Sequence, residues 1–238
     1  MIFHGLEKLS LVDFDGKLCC TLFTGRCNFR CPFCHNGTLV LNPESQPEIS
    51  EGEALRFLES RVGRLDAVCI SGGEPTLQTD LPDFMRRVKA LGYKIKLDTN
   101  GTNPEMLRTL IEQGLVDYVA MDIKNSPDMY SITTGVSNPH WERVLESAKL
   151  LKEAYTQDKI DFEFRTTIID GYHTEDDFLI IGYILGGAPR YFLQKFEYRD
   201  GCLSPISYDM HPVSKERAEG MAKILREYFP FVALRGYE

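Results

Sequence analysis

Residues 24–37 read TGRCNFRCPFCHNG and hold three of the seven cysteines in the chain, namely Cys27, Cys31 and Cys34. Their spacing would place them on one face of a helix. Pro32 argues against a helix, because proline inside one costs about 3 kcal/mol or more, and Gly25 and Gly37 flank the segment as helix breakers. We therefore predict a loop in which the thiolates converge. Thiolate sulfur binds zinc, copper(I) and iron–sulfur clusters.

The three cysteines allow three kinds of site. Structural zinc takes four closed ligands, usually as two separated pairs, and the sequence has no second CxxC or HxxxH pair. A redox disulfide between Cys31 and Cys34 fits the CPFC pattern but leaves Cys27 without a role. A cubane cluster held by three cysteines keeps one iron free for chemistry. We expect the cluster, with the disulfide and zinc as alternatives.

The composition bounds the class of protein. The chain has 238 residues, of which 43% are hydrophobic and 26% charged, as in an ordinary globular protein with one core. No apolar run approaches the ~20 residues that span a bilayer, and the first residues do not resemble a signal peptide. We expect a cytoplasmic monomer with reduced thiols. A net charge of −8 without a basic stripe disfavours nucleic-acid binding.

Strands and helices alternate along the chain. We predict strands at residues 17–24, 67–71, 93–99, 117–123, 160–168 and 191–196, and helices at 50–63, 80–91, 103–113, 138–155, 174–185 and 214–228. Ser50 and Glu53 have the spacing of a capping box. Six strands separated by helices predict an α/β fold with a parallel sheet, in the form of a partial (β/α)6 barrel of TIM type. A doubly wound open sheet is the alternative.

We expect one domain over residues 1–238. It would consist of an N-terminal segment (1–16), a barrel core (17–196) and a C-terminal extension with the last helix (197–238). In such a barrel the active site lies at the C-terminal ends of the strands. Glycine and polar residues occur there together: Gly72, Gly73, Glu74, Asp98, Thr99, Asn100, Asp122, Lys124 and Arg165. Each alone has an ordinary explanation as a turn, a strand end or a surface charge. Their joint occurrence indicates a site.

Several motifs resemble a known family. The CxxxCxxC spacing, with Phe33 before the third cysteine, resembles the radical S-adenosylmethionine (SAM) enzymes. SGGEP (71–75), LDTNG (97–101), AMDIK (120–124), TGVSN (134–138) and FEFRTTIIDG (162–171) resemble more narrowly the activases of glycyl radical enzymes. The opening KLSLVDFDGKL (8–18) is most similar to the short activating proteins of anaerobic ribonucleoside-triphosphate reductase. Pyruvate formate-lyase activase is the nearest sibling.

The resemblance implies a [4Fe-4S] cluster on the three cysteines and SAM as its partner. It implies that the strand-end residues above bind SAM, with Gly73 at its amino-acid end and Lys124 or Arg165 at its carboxylate. Phe33 and His35 would lie beside the adenine. A monovalent-cation site for Na⁺ or K⁺ is implied at Asp98, Thr99, Asp122 and the Ala120 carbonyl. Core hydrogen bonding remains the alternative for Asp98.

The implied activity is radical generation on a partner. SAM would be cleaved to a 5′-deoxyadenosyl radical, which takes a hydrogen atom from a glycine of a glycyl radical enzyme. Asp13 matches an aspartate in the equivalent activase opening, and we expect it to contact that glycine loop; a turn-forming role is the alternative. Flavodoxin or ferredoxin would donate the electron, since the cysteines for a second cluster are missing between Cys34 and Cys69.

One departure from the family concerns Glu197, which stands where pyruvate formate-lyase activase has a histidine. The alternatives are the activase of pyruvate formate-lyase or a related enzyme, a small-molecule radical SAM enzyme such as a deazapurine synthase, and a non-enzymatic zinc-binding protein.

Overall fold

The computed structural model describes residues 1–200 and 202–237. Ten strands occur in these residues: β1 (Ile2–Phe3), β2 (Gly5–Ser10), β3 (Cys19–Thr24), β4 (Ile49–Ser50), β5 (Ala67–Gly72), β6 (Lys94–Thr99), β7 (Tyr118–Asp122), β8 (Asp161–Ile168), β9 (Tyr191–Lys195) and β10 (Val232–Arg235). β1 and β4 form a small antiparallel pair. The other eight form one sheet in the order β10-β9-β8-β7-β6-β5-β3-β2. Neighbours in this sheet are parallel except at the β2 edge, so the predicted parallel sheet is confirmed.

Helices join most of the parallel strands. Those in the described residues are α1 (Gly37–Leu41), α2 (Glu51–Glu59), α3 (Leu81–Ala90), α4 (Pro104–Glu112), α5 (Pro127–Thr134), α6 (Trp141–Thr156), α7 (Glu175–Leu185) and α8 (Lys215–Leu225). The predicted capping box starts α2: Ser50 Oγ accepts from Glu53 N at 3.3 Å, and Glu53 Oε2 accepts from Ser50 N at 2.9 Å. Within the described part of the chain, no helix has both the length and the hydrophobicity of a bilayer span.

The sheet curves into an incomplete barrel. β2 and β10 lie at its two edges, and in the described residues they do not pair with each other. Asp15, in the loop between β2 and β3, nevertheless accepts a hydrogen bond from Arg235 Nη2 on β10 at 3.0 Å. In a flat sheet these edges would lie roughly 34 Å apart, because neighbouring strands are spaced by about 4.8 Å. The contact requires a partial barrel and excludes the doubly wound alternative.

Side chains alternate between the two faces of the curved sheet, as the strand period of two requires. Outward-facing residues such as Ile70, Leu97 and Phe164 belong to the main hydrophobic core beneath the helices. A smaller apolar cluster lies inside the barrel and consists of Cys19, Ala67 and Cys69, covered by Phe14. The rest of the interior holds polar and charged side chains, among them Lys96, Asp98, Asp122, Glu163, Arg165 and Arg235.

Besides the short elements β1, β4 and α1, the strands β2 and β10 and the helix α5 were not predicted from the sequence. β2 is an edge strand whose middle residues are exposed, so it lacks an apolar alternation. α5 has only eight residues and begins at Ser126-Pro127, which reads as a turn. β10 has four residues and lies in the C-terminal extension, where only a helix was expected. With β10, the barrel has seven parallel strands rather than six.

Candidate active site

The cysteine loop connects β3 to α1 and is anchored through its backbone. Arg30 N donates to the carbonyl of Thr134, at the end of α5, at 2.8 Å. On the other side, Leu203 N donates to the carbonyl of Cys34 at 2.9 Å. These bonds hold the loop between α5 and the segment after β9 without using a thiol. The sulfur atoms are therefore left free to bind a ligand.

The thiols of Cys27, Cys31 and Cys34 line one cavity. Burial raises the pKa of Cys27 to about 11 and that of Cys31 to about 12, and it also raises the pKa of Cys34. All seven cysteines are free, so Cys31 and Cys34 do not form the alternative disulfide in this structure. Binding of a metal centre here has to release thiol protons.

The spacing of the thiols bears on the kind of metal. Within the described residues, no three His, Cys, Asp or Glu side chains are close enough to hold one metal ion. Zinc requires all its sulfur ligands within about 2.3 Å of a single ion. A cubane cluster held by three cysteines would keep one iron free and would need no fourth protein ligand. Three thiols that line one open cavity are compatible with such a cluster.

The cavity is open to solvent and has a volume of about 210 Å³. The predicted site residues that meet there are Cys27, Cys31, Phe33, Cys34, His35, Gly72, Gly73, Glu74, Asp98, Thr99, Asn100, Asp122, Lys124 and Arg165. Ala120 lies on β7, in register with Asp98. The strand ends and the cysteine loop thus form one site.

Several residues that line the cavity were not predicted: Phe29, Val40, Ser71 and Thr167. Thr167 follows Arg165 by two residues on β8, so the strand period could have identified it. Asn36 donates through Nδ2 to the Gly72 carbonyl at 2.8 Å and ties the cysteine loop to β5. No spacing in the sequence signals that contact.

Two carboxylates and two cations share the floor of the cavity. Arg165 Nε donates to Asp122 Oδ1 at 2.5 Å, and its Nη2 lies 3.3 Å from Asp98 Oδ2. Lys124 Nζ donates to Asp122 Oδ2 at 2.9 Å. Burial alone would raise the pKa of both carboxyls, but the neighbouring cations, above all Arg165, more than offset it. The pKa of Asp98 is therefore lowered and that of Asp122 lies well below its ordinary value.

One oxygen of Asp98 accepts no hydrogen bond from the described residues. Oδ1 is buried without a hydrogen bond. Lys96 Nζ lies 3.6 Å from it and donates instead to the Asp13 carbonyl. An unsatisfied buried group costs about 1–3 kcal/mol, and more when charged. This oxygen therefore fits a bound N–H donor or a cation, as the amino group of SAM or an alkali ion would supply.

The side chains of Glu74 and Thr99 are hydrogen-bonded to each other and not to the charged side chains on the cavity floor. The Glu74 carboxylate accepts from Thr99 Oγ1 at 2.7 Å, from Thr76 N at 3.1 Å and Oγ1 at 2.6 Å, and from Asn100 N at 2.7 Å. This buried carboxylate fastens the GGEP turn to the end of β6. The predicted cation site consequently has the carboxylates of Asp98 and Asp122, whereas the Thr99 hydroxyl is directed at Glu74.

Gly72 and Gly73 are required by the backbone of the protein itself. A Cβ on Gly73 would lie 1.8 Å from the Arg26 carbonyl oxygen, and one on Gly72 would lie 2.4 Å from Thr24 N. Gly72 also has a φ of +117°, which side chains rarely permit. The two glycines let β5 lie directly against the start of the cysteine loop. The sequence had suggested contact with SAM as their reason.

An aromatic wall closes one side of the cavity. Phe33 packs edge-on against Tyr172 and Phe196, with ring centroids 6.5 Å apart in both pairs. His35 stacks on Phe196 at 5.9 Å, and its Nε2 is bonded to the Glu197 carbonyl at 2.7 Å. The Glu197 side chain is exposed and lies outside the cavity lining.

Asp13 lies inside the barrel, below the cavity. Its Oδ2 accepts from Thr21 Oγ1 at 2.5 Å, and its carbonyl accepts from Lys96 Nζ. The next residue, Phe14, contacts Tyr118 with ring centroids 5.3 Å apart. Since this segment precedes β3, it covers the N-terminal end of the barrel. Asp13 is thereby connected through Lys96 to Asp98 in the cavity.

Comparison with known proteins identifies the family. Residues 21–179 match the family model of the radical SAM superfamily. A candidate glycyl-radical enzyme activating enzyme of Methanocaldococcus jannaschii is 32% identical over 236 residues, covering 97% of this chain and 94% of that protein. The pyruvate formate-lyase-activating enzyme of Staphylococcus aureus is 29% identical over 206 residues, covering 82% and 78%. The crystal structure of a radical SAM methyltransferase from Sphaerobacter thermophilus superimposes with a TM-score of 0.67 at 16% identity, covering 91% of this chain and 66% of that one.

The cysteine loop, the strand-end site and these matches agree, and the chain belongs to the radical SAM superfamily. Within it, the similarity over nearly the full length groups the chain with the glycyl-radical-enzyme activating enzymes, so it is an enzyme of the oxidoreductase type. The superfamily implies a [4Fe-4S] cluster and SAM. The three thiols and the unpartnered Asp98 oxygen fit those two groups.

Proposed function

We propose that this protein generates a glycyl radical on anaerobic ribonucleoside-triphosphate reductase. The observation that carries the proposal is the meeting of three thiols and the Asp98, Asp122, Lys124 and Arg165 group on one open cavity. When bound, the cluster and SAM would supply a 5′-deoxyadenosyl radical that takes a hydrogen atom from a glycine Cα. The chain itself would bind, orient and shelter them.

Each part of SAM has a suitable partner in the cavity. Lys124 uses one N–H on Asp122, which leaves two donors for the SAM carboxylate, and Arg165 lies beside it. Asp98 Oδ1 would receive the amino group or a Na⁺ or K⁺ ion. Phe33 and His35 would face the adenine. Cys27, Cys31 and Cys34 would hold the cluster next to the sulfonium.

The partner would approach through the barrel opening between β2 and β10, which do not pair in the described structure. Asp13, inside the barrel near that edge, would contact the glycine loop. The choice of the reductase rests on the KLSLVDFDGKL opening. Pyruvate formate-lyase is the second candidate, because its activating enzyme in S. aureus is similar over most of this chain. A flavodoxin or ferredoxin would supply the electron.

The test is a direct assay of radical transfer. The protein is reconstituted anaerobically with iron and sulfide, given SAM and a reductant, and mixed with either candidate partner. We expect the electron paramagnetic resonance signal of a glycyl radical with the reductase, and none when Cys31→Ala replaces the wild type. A signal only with pyruvate formate-lyase would reassign the partner. SAM cleavage without a radical on either partner would contradict the activase function and indicate a small-molecule substrate.

A further inference from the structure

Three polar side chains form a closed hydrogen-bonded ring beside the cysteine loop. Asn100 Nδ2 donates to Asn28 Oδ1 at 2.8 Å, and Asn28 Nδ2 donates to Thr102 Oγ1 at 2.8 Å. The Thr102 hydroxyl donates to Asn100 Oδ1 at 2.7 Å and completes the ring. Asn100 and Thr102 are each only 5% exposed. Such a sheltered ring is stronger than the same bonds in water.

The ring fixes which way the Asn100 amide points. Its Oδ1 accepts from both the backbone N and the hydroxyl of Thr102, at 3.0 and 2.7 Å. Oδ1 must therefore face Thr102, because an amide nitrogen accepts no hydrogen bond. The Asn100 backbone N is held as well, by Glu74 Oε2 at 2.7 Å. The NH₂ group is left with one direction, toward the cysteine loop.

In that direction lies the sulfur of Cys27. Asn100 Nδ2 is 3.8 Å from Cys27 Sγ, and Phe29 N is 3.4 Å from the same atom. Among the described residues, no side-chain N–H lies within hydrogen-bond distance of the sulfur of Cys31 or Cys34. The three cysteines are therefore unequal, because among the described residues a side-chain amide lies beside the sulfur of Cys27 and not beside the other two.

We propose that Asn100, oriented by Asn28 and Thr102, donates a hydrogen bond to the Cys27 thiolate in the cluster-loaded protein and raises the reduction potential of that cluster. The inference rests on the proposed role of Cys27 as a ligand. A reduced cluster carries more negative charge on its sulfurs than an oxidised one, so an N–H donor stabilises the reduced form more. Asn28 and Thr102 are positioning residues, because they act on the sulfur only through the Asn100 amide.

This arrangement matters for an enzyme that must reduce its cluster before it can act. A donor on one ligand makes reduction easier without occupying the iron that binds SAM. The residue that would adjust the reduction potential lies at the end of β6, next to Asp98 and Thr99, which also line the cavity. The residues that bind SAM and the residue that adjusts the cluster thus share one strand end.

The experiment is a redox titration of the reconstituted protein without SAM, monitored by electron paramagnetic resonance. For Asn100→Ala we expect the reduction equilibrium to become about tenfold less favourable, which is about 59 mV for one electron. For Thr102→Val we expect a smaller shift in the same direction, because the amide remains but is no longer held. Asn103→Ala is the matched control. Asn103 is the next asparagine after the ring, and its side chain donates to the Thr76 carbonyl at 2.6 Å, away from the sulfur. The cluster in Asn103→Ala should therefore have the same reduction potential as in the wild type.

The outcomes separate the inference from the proposed function. Wild-type potentials in both Asn100→Ala and Thr102→Val, at normal iron content, would overturn the inference and leave the activase proposal standing. If Asn100→Ala loses iron, the reduction potential of Thr102→Val still tests the inference, because this variant keeps the Asn100 amide. An equal shift in Asn103→Ala would also overturn it, because the effect would then be a general loosening of the loop. A wild-type protein that assembles no iron–sulfur cluster would overturn both proposals.

Discussion

Two layers of charged side chains lie inside the barrel, and they are built differently. The upper layer consists of Asp98, Asp122, Lys124 and Arg165, at the C-terminal ends of the strands. The lower layer consists of Asp15, Tyr118, Glu163 and Arg235, next to the loop that covers the other end. Both layers pair arginine with carboxylates; in the lower layer Glu163 is buried, whereas Asp15 is exposed. They differ in how completely their polar atoms are satisfied.

In the lower layer the pairing is complete. Arg235 donates to both oxygens of Glu163, at 2.8 and 3.0 Å, and to Asp15 at 3.0 Å. The Tyr118 hydroxyl adds a bond to Glu163 at 2.8 Å, and the guanidinium lies 3.4 Å from the centre of the Phe192 ring. In the upper layer, by contrast, Asp98 Oδ1 accepts no hydrogen bond from the described residues, and Lys96 Nζ lies 3.6 Å away. Complete pairing suits a structural clamp, whereas a buried carboxylate oxygen without a hydrogen bond suits a binding site.

The largest effect is expected from the cysteines above the upper layer. Cys27→Ala, Cys31→Ala and Cys34→Ala should each abolish cluster assembly and SAM cleavage, as measured by iron content and visible absorbance after anaerobic reconstitution. The loop is held by backbone bonds, so circular dichroism should show an intact fold. Cys202→Ala is the control, since Cys202 is close in the fold but outside the cavity lining. Full iron content in any one of the three variants would remove that cysteine from the ligand set.

The lower layer should respond in stability rather than in binding. Arg235→Met leaves Glu163, which is 1% exposed, without its cation, and we expect a loss of about 3 kcal/mol in the free energy of unfolding. Urea unfolding measures it. SAM affinity should stay within about twofold of the wild type. Arg190→Met, which breaks the more exposed pair with Asp161, should cost less than about 1 kcal/mol. A larger effect on SAM affinity than on stability would mean that the two layers are not separate.

The sequence predicted the upper layer and not the lower one, for a physical reason. The cysteine loop, GGEP and LDTNG are local signals, because each lies where a strand ends. The Asp15–Arg235 contact joins residues 220 positions apart, and Arg235 lies on a four-residue strand with no clear pattern. The contact forms because the whole sheet curves, so no local sequence pattern predicts it.

Some features of the upper layer could have been predicted from the sequence. Asp98 and Thr99 are consecutive strand residues, so only one of them can face the barrel interior. The structure has Asp98 inside and the Thr99 hydroxyl on Glu74. The ring of Asn28, Asn100 and Thr102 was out of reach, since it depends on how the cysteine loop lies on the end of β6.

The cations of the upper layer should determine SAM affinity. Lys124→Ala removes one charge-assisted contact, so SAM binding should weaken by roughly 10 to 100-fold, which corresponds to about 1.5–3 kcal/mol, while iron content is unchanged. Arg165→Ala should weaken SAM binding by a similar factor. It should also lower the stability of the fold, because Arg165 forms ion pairs with both Asp98 and Asp122. Lys94→Ala is a matched control, as Lys94 pairs with Asp117 outside the cavity. Unchanged SAM affinity in both site variants would exclude a carboxylate-binding role.

Substitution of Asp13 tests whether the region between the two layers contacts the partner enzyme. Asp13→Asn keeps the size of the side chain and an acceptor oxygen but removes the charge. We expect radical formation on the partner to fall about tenfold, as one charge-assisted contact is lost, while SAM cleavage without partner continues. Thr21→Val removes the hydrogen bond that Thr21 donates to Asp13 without changing any charge, and it should have the smaller effect. Equal loss of both activities in Asp13→Asn would assign Asp13 to the fold or to the SAM site.

The smallest effect concerns the pH dependence of a residue that supports the upper layer. His173 is fully buried; its Nδ1 accepts from Ile169 N at 3.1 Å, and its Nε2 is bonded to the Lys124 carbonyl at 2.9 Å. Burial lowers its pKa below the ordinary 6.5. A depressed pKa contributes stability that is present above the unfolded value of 6.5 and is lost as the pH falls toward the folded value. We expect urea unfolding to show about 1 kcal/mol less stability at pH 5 than at pH 7.5, with part of that difference absent in His173→Gln. The exposed His211 serves as control, and His211→Gln should keep the full difference. If His173→Gln keeps it too, the neutral imidazole does not link stability to pH, and the pH response belongs to other groups.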